Sequence, residues 1–304
     1  VITSISDTIL LKVIEATIDE MGPPPAKFTF IVLGSEGRKE QTLKTDQDNA
    51  IIYEDKANEQ RELVRDYFLE FASKVSEKLN HIGFSFCTGG LMAKNPKWTH
   101  SLSHWKKNYD LWINEPDPES VMNYSTFFDY RLIYGQSDLI ENLREFISQQ
   151  LREPSEVFLY HLAQNALLYQ SPLTFFNNFR TITKGEKNVF DIKKTMTPIV
   201  DMVRVFALRH RIFKTNTGER IKALYENKIF SEVEYNELLQ AYYYLMGMRL
   251  KMQSRQIIKD NRDPDNYLDP NQLTKVEQVT LKEIFKIIEK FQLKIKIEFT
   301  RSLA

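Results

Sequence analysis

The chain has 304 residues, 42% of them hydrophobic and 27% charged, which supplies a real core and excludes wholesale disorder. Its 41 Lys+Arg balance 41 Asp+Glu, so the formal charge is zero and bulk electrostatic binding of nucleic acid is not expected. A single cysteine, Cys87, excludes an internal disulfide framework and a cysteine-based zinc cluster and fits a reducing, cytoplasmic compartment, and no apolar stretch reaches the ~20 residues of a membrane span.

Ser4 to Met21 sets Ile5, Ile9, Leu10, Val13, Ile14 and Ile18 at helical spacing, and Gly22 with Pro23-Pro24-Pro25 stops the helix. The chain opens at Val1 inside that helix, with acidic residues and no basic start, so a secretory leader is not expected and a fragment of a longer protein is. Phe28 to Leu33 is an apolar run rich in β-formers and reads as a buried strand; Asn49 to Glu54 reads as a second. The interval between them is too short for an ordinary crossover. Lys56 to Asn80 is an amphipathic helix with Leu63, Tyr67, Phe68, Phe71, Val75 and Leu79 on one face. Gly83 to Cys87 reads as a third strand and Thr88-Gly89-Gly90 as a turn. From Thr126 to Tyr134 the pattern has period two, with Asp129 and Arg131 sharing a face of the expected strand, a buried helix being the alternative for the aromatic run.

After Gly135 the texture is helical: Pro154 to Gln170, Ile192 to Arg211, Thr217 to Asn227, Ser231 to Lys259 and Thr274 to Phe299, with Ser155, Thr217, Ser231 and Thr274 as expected caps. The fold class is therefore α+β: a mixed domain with a small sheet over residues 1–140, including the helix 4–21, and an all-α bundle over 141–304.

The chemistry concentrates between the first two strands. Gly34-Ser35 ends one strand, and Asp46-Gln47-Asp48 opens the next twelve residues later. Glycine at a strand-to-helix junction lets backbone N–H groups approach a phosphate, and the Ser35 hydroxyl adds a donor. Asp46 and Asp48, two apart on extended chain, project to one face, where two carboxylates repel unless a divalent cation lies between them. Metal clamp and phosphate cradle together are the equipment of nucleotidyl transfer. The bland alternative, two aspartates capping a turn, is what an isolated D-x-D would indicate.

Gly34-Ser35, Arg38 and Asp46-Gln47-Asp48 before an apolar strand resemble the G-S…D-x-D signature of the polymerase-β-like nucleotidyltransferases. The string GSEGRKEQTLKTDQDNAIIY is closer to one branch, related to the PII-protein uridylyltransferase and the glutamine-synthetase adenylyltransferase and commonly found C-terminal to cyclic-nucleotide-binding and CBS domains. The resemblance extends through Cys87 to Trp98, Phe128-Asp129-Tyr130-Arg131, Asp191-Ile192-Lys193 and Thr217-Gly218-Glu219-Arg220. It implies an α/β nucleotidyltransferase domain followed by a helical domain, upstream regulatory domains missing from this chain, Mg²⁺ or Mn²⁺ as cofactor, and an acceptor that includes a protein hydroxyl, in signal transduction.

The superfamily's third carboxylate is assigned to Asp129, a base or second metal ligand beside Asp46 and Asp48, with an Asp129–Arg131 ion pair as its structural alternative. The strand Gly83–Cys87 carries Phe and Cys where a simpler layout has that acid, which leaves open whether the site turns over. Gly34, Ser35, Arg38, Lys44, Thr45 and Gln47 are the expected nucleotide-binding residues; Arg38 offers a planar fork for phosphate. Cys87 reads as a small buried residue, Trp98 as either a base cover or packing, and His100 with His104, four apart without a third ligand, as surface or packing residues. Three readings follow: a Mg²⁺-dependent nucleotidyltransferase acting on a nucleoside triphosphate, a non-catalytic nucleotide sensor, and a helical interaction module with a vestigial α/β cap.

Overall fold

A computed structural model of the chain describes residues 1–300 except 57, 118–120, 122 and 175–177. The first unit, Val1–Pro154, contains β1 (Phe28–Val32), β2 (Asp46–Gln47), β3 (Asn49–Tyr53), β4 (Ser85–Phe86), β5 (Thr99–Ser101) and β6 (Arg131–Gly135). Four of these form a sheet in the order β5-β3-β1-β6, with β1 antiparallel to β3 and β6, and β3 parallel to β5. β2 and β4 make a separate parallel pair.

All five residues of β1 and all five of β3 are buried, as continuous apolar strands require cover on both faces. Helices Ile2–Met21 and Asn58–His81 supply one layer: Leu10, Ile14, Val64, Phe68, Phe71 and Val75 form one core with Phe28, Phe30, Val32, Ile51 and Tyr53. Helices Leu102–Asn114 and Ser137–Gln150 pack on the sheet and on each other, with Trp105 Nε1 donating to the Ile51 carbonyl at 2.9 Å. At about 1.5–3 kcal/mol for each large apolar side chain withdrawn from water, these two layers are what hold the strands in register.

The expected strand Thr126–Tyr134 is only half a strand. Ser125–Phe128 is a 3₁₀ turn and pairing begins at Arg131. The rings decide this: Phe127 lies 4.4 Å from Trp98 and 5.5 Å from Trp105, centroid to centroid, and a straight strand would pull it out of that cluster. The third strand shortens to two residues, Ser85–Phe86. Helix Ser137–Gln150 buries Leu139, Ile140, Leu143 and Ile147 within the first unit, so the division of the chain falls at Pro154 rather than near residue 140.

The second unit, Ser155–Ala304, is built from helices Glu156–Leu168, Ile192–Arg209, Thr217–Glu226, Glu232–Ile258 and Lys275–Phe299. Ser231 and Thr274 each close a capping box, with Glu234 and Glu277; the cap of the Thr217 helix is its neighbour, Asn216. This unit also carries a small antiparallel sheet that apolar patterning did not reveal: β7 (Ile182–Lys184), β8 (Lys187–Asp191) and β9 (Tyr267–Leu268), in that order. Among the described residues, no helix is long and apolar enough to cross a membrane.

Candidate functional site

Antiparallel pairing of β1 with β3 closes the site. The register sets Val32 opposite Asn49, and the Leu33 N–H donates to the Asp48 carbonyl at 2.8 Å, so the chain leaving β1 at Gly34 passes beside the chain entering β3 at Asp48. Gly34 has φ +56°, and a Cβ there would stand 3.1 Å from Asp48 Oδ2 and 3.2 Å from Thr126 Cγ2. Glycine is needed at this point both for the left-handed backbone and for the space. Residues Gly34–Gly37 form a single helical turn, whose opening N–H groups lack the acceptors a preceding turn would provide. Ser35 is half-buried, and its hydroxyl makes no hydrogen bond among the described residues.

Asp46 and Asp48 meet as an acidic pair, and a third group joins them. Ligand atoms of Asp46, Asp48 and Cys87 all lie within 4.8 Å of one another, each residue partly exposed. The β2–β4 register explains the cysteine: Asp46 pairs with Ser85 and Gln47 with Phe86, so the next step sets Cys87 across from Asp48. Burial, reinforced by the negative Asp48 and a hydrogen bond to it, pushes the Cys87 thiol up to about 11, so it stays protonated and donates to the carboxylate. Two hard carboxylate oxygens suit Mg²⁺ or Mn²⁺ with further positions for water or phosphate oxygens, whereas sulfur is a soft donor and adds no hard ligand. The donor set therefore fits a divalent cation held by Asp46 and Asp48.

The other expected residues divide. Lys44 is exposed and in no ion pair among the described residues, and Thr45 is half-buried beside Asp46. Gln47, 1% exposed, turns the opposite way, and its Nε2 donates to the carbonyls of Ser76 (3.0 Å) and Phe84 (2.9 Å). Alternation along an extended chain forces this: aspartates at 46 and 48 on one side put 47 on the other. Asp129 is not brought to the acidic pair. It is fully buried, and its Oδ2 accepts from Arg38 Nη1 at 2.7 Å, while Arg38 Nε donates to Glu40, also at 2.7 Å. Arg38 is thus gripped by two carboxylates inside the protein instead of presenting its fork to a phosphate. The alternative Asp129–Arg131 pair does not form either, because Arg131 makes a two-point bond with Asp7 of the first helix (2.8 and 2.9 Å).

Sequence reasoning passed over Glu36. It is 4% exposed, and its Oε1 has no hydrogen-bond partner among the described residues. Desolvation pushes its carboxyl up to about 8 against the counter-pull of Arg131, with Asp7 and Asp48 adding to the rise. Its place between Gly34 and Gly37 was the available signal, since a residue flanked by two close-packing glycines is held inside the turn. Trp98 is 5% exposed, its indole donating to the Gly90 carbonyl at 3.0 Å, so it packs the turn 89–98 rather than offering a face to a base. That turn is anchored beside the acids, where Asn49 Oδ1 accepts from the Ala93 N–H (2.8 Å) and the Asn49 N–H donates to the Leu91 carbonyl (3.0 Å). His100 and His104 stack at 3.7 Å with no acid completing a ligand set among the described residues. In the second unit Asp191 caps a helix through the Lys194 N–H, and Arg220 is buried with Nε donating to the Lys214 carbonyl.

Two family models match the chain. One, described as "Putative nucleotidyltransferase DUF294", covers residues 1–119; the other, described as "Putative nucleotidyltransferase substrate binding domain", covers residues 156–299. No curated protein matches the chain.

Proposed function

The chain belongs to the nucleotidyltransferase family that these two models define, and from that membership we propose a divalent-metal-dependent transfer of a nucleoside monophosphate from a nucleoside triphosphate to a hydroxyl, at Asp46 and Asp48. One observation carries the reading: two carboxylates share a ligand-sized space at the bend where Gly34 leaves no side chain. An isolated D-x-D capping a turn would have no reason to face a glycine whose missing Cβ lies against the second acid.

In this reading Asp46 and Asp48 hold Mg²⁺ or Mn²⁺. The ion when bound neutralises the triphosphate and the departing pyrophosphate. The Gly34–Gly37 turn and the Ser35 hydroxyl bind phosphate oxygens, with the exposed Lys44 as a further cation for them and Thr45 beside Asp46. The acceptor oxygen forms its bond to the α-phosphorus as the bond to pyrophosphate breaks, and a carboxylate oxygen of the acidic pair takes the hydroxyl proton. Cys87, donating to Asp48, fixes that carboxylate's orientation. Arg38 and Asp129 position the turn by their buried ion pair, and Gln47 locks the strand to Ser76 and Phe84. We take the acceptor to be a protein hydroxyl, with uridylyl or adenylyl transfer in a signalling role, on the strength of the resemblance of the GSEGRKEQTLKTDQDNAIIY segment to the protein-modifying branch.

Pyrophosphate release measured with each of the four triphosphates and Mg²⁺ or Mn²⁺ tests this. Asp46→Asn with Asp48→Asn is expected to lower the rate more than about 100-fold, because even the partners of metal ligands are worth 10–100-fold. Equal rates in wild type and double variant would overturn it. A second reading, a nucleotide-binding sensor without turnover, is favoured by one observation: Cys87 stands third in the cluster while Asp129 is committed to Arg38. It predicts metal-dependent triphosphate binding by calorimetry with no pyrophosphate.

A further inference from the structure

The second unit holds a cavity of about 420 Å³ between β8, β9, the C-terminal half of helix Glu232–Ile258 and the start of helix Lys275–Phe299. Its volume lies in the range of small-molecule sites, roughly 300–1,000 Å³. The apolar part is Val189, Met248, Met252, Tyr267, Leu268 and Leu273. Met248 and Met252 are one helical turn apart, and their unbranched thioethers adapt to the shape of a guest.

The charges around this floor are mostly spoken for. Glu277 takes Lys251 at 2.9 Å, and Asp265 takes Arg262 at 2.9 Å. Asp260 reaches the same arginine at 3.9 Å, and the Asp269 carboxylate accepts from the Asn271 N–H at 2.9 Å. Lys184 sits 3.6 Å over the Tyr267 ring and 3.9 Å from Asp265. Two cations lining the cavity, Lys187 and Arg255, are left with no carboxylate within ion-pair distance among the described residues. Asp269 is met by a backbone N–H and by no cation, so the five lining cations stand against four carboxylates and the cavity lining is left net positive. A guest that covers the methionines and brings one acidic group satisfies both features, and the arginine fork accepts carboxylate, sulfonate or phosphate in two-point fashion.

We propose that this cavity binds an amphipathic organic anion, an apolar body bearing an acidic group held by Lys187 and Arg255. Every residue of the site belongs to the second unit, and its occupancy is measurable without nucleotide or metal.

Titration of the full chain with anilinonaphthalene sulfonate in EDTA, followed by fluorescence and calorimetry, tests it, with uncharged N-phenyl-1-naphthylamine as the matched body lacking the sulfonate. The sulfonate is expected to bind at one saturable site and the neutral compound about tenfold more weakly or worse, a gap equal to ~1.4 kcal/mol. Lys187→Glu with Arg255→Glu is expected to erase that gap by weakening only the sulfonate. Both side chains are exposed and unpaired, so the double variant keeps its circular dichroism and melting temperature. Met252→Glu, which puts a charge on the floor, is expected to weaken both probes. No saturable sulfonate binding, equal affinity for the two probes in wild type, or an unchanged sulfonate affinity in the double variant each overturns the proposal.

Discussion

Glu36 shows how the turn at residues 34–37 fixes a protonation state. Arg131 lies near enough to lower the carboxyl's pKa, yet its guanidinium donates to Asp7 and to the Glu36 backbone carbonyl (3.1 Å), so desolvation wins and the group stays protonated near neutrality. The consequence for stability has a definite sign. Below the ordinary value of 4.5 both folded and unfolded chains carry the proton and there is no penalty. Between 4.5 and about 8 the unfolded chain releases it while the folded one keeps it, so this residue makes the protein less stable as pH rises through that window, with no further change above it. Glu36→Gln removes the titration and keeps the shape. The expected result, from thermal melts of both proteins between pH 4 and 9, is equal stability near pH 4 and a gain for the variant of about 1–3 kcal/mol at pH 8, the ordinary range for relieving a poorly paired buried polar group. A difference independent of pH would mean that Glu36 titrates in the fold as it does in the unfolded chain.

At the scale of elements, the segment β1–turn–β3 is a hairpin with the site in its long connection, and Gly37 is where that connection is pinned. A Cβ at Gly37 would run into the Asp129 carbonyl, which belongs to the 3₁₀ turn preceding β6. Neither partner can give, because both are backbone. Gly37→Ala is expected to cost about 1–3 kcal/mol by urea denaturation, and to weaken metal-dependent nucleotide binding as well, because the turn must lift away from Asp129 and take Ser35 with it. Loss of stability with unchanged binding would separate the turn from the site. The same elements show what sequence could and could not tell. FTFIV and NAIIY announce buried strands because continuous β-formers need cover on both faces, and Asp46, Asp48 and Gly34 announce themselves by local alternation and backbone freedom, all properties of a few neighbouring residues. Cys87 reaches the acids through pairing of β2 with β4, about forty residues away in sequence, and a two-residue strand leaves no periodic trace. Asp129 lies outside the strand that its alternating aromatic neighbours suggest, because tertiary packing of Phe127 against Trp98 overrides that local preference. Arg38, legible as a cation near a phosphate cradle, is claimed by two acids whose burial no pattern reveals.

For the whole molecule, each unit has its own core, with Phe28, Phe30, Phe68 and Phe71 in one and Phe190, Phe206, Phe285 and Phe291 in the other. Each also has its own candidate site: the acidic pair at 46 and 48, and the cation-rimmed cavity between residues 184 and 277. A ligand that binds only the folded form stabilises the unit containing its site by about 2.7 kcal/mol at a hundred times its Kd. Slowly exchanging amides, which open only with the unit's core, register that gain directly. Hydrogen exchange read peptide by peptide therefore assigns each ligand to its unit. Mg²⁺ with the triphosphate that binds most tightly is expected to slow exchange across residues 28–53 and 85–101 and to leave 182–277 at the unliganded rate, with anilinonaphthalene sulfonate doing the reverse. Triphosphate protection confined to the second unit would move the nucleotide away from Asp46 and Asp48. Protection of both units by either ligand alone would show that the two cores open as one cooperative body, and that occupancy of one site bears on the other.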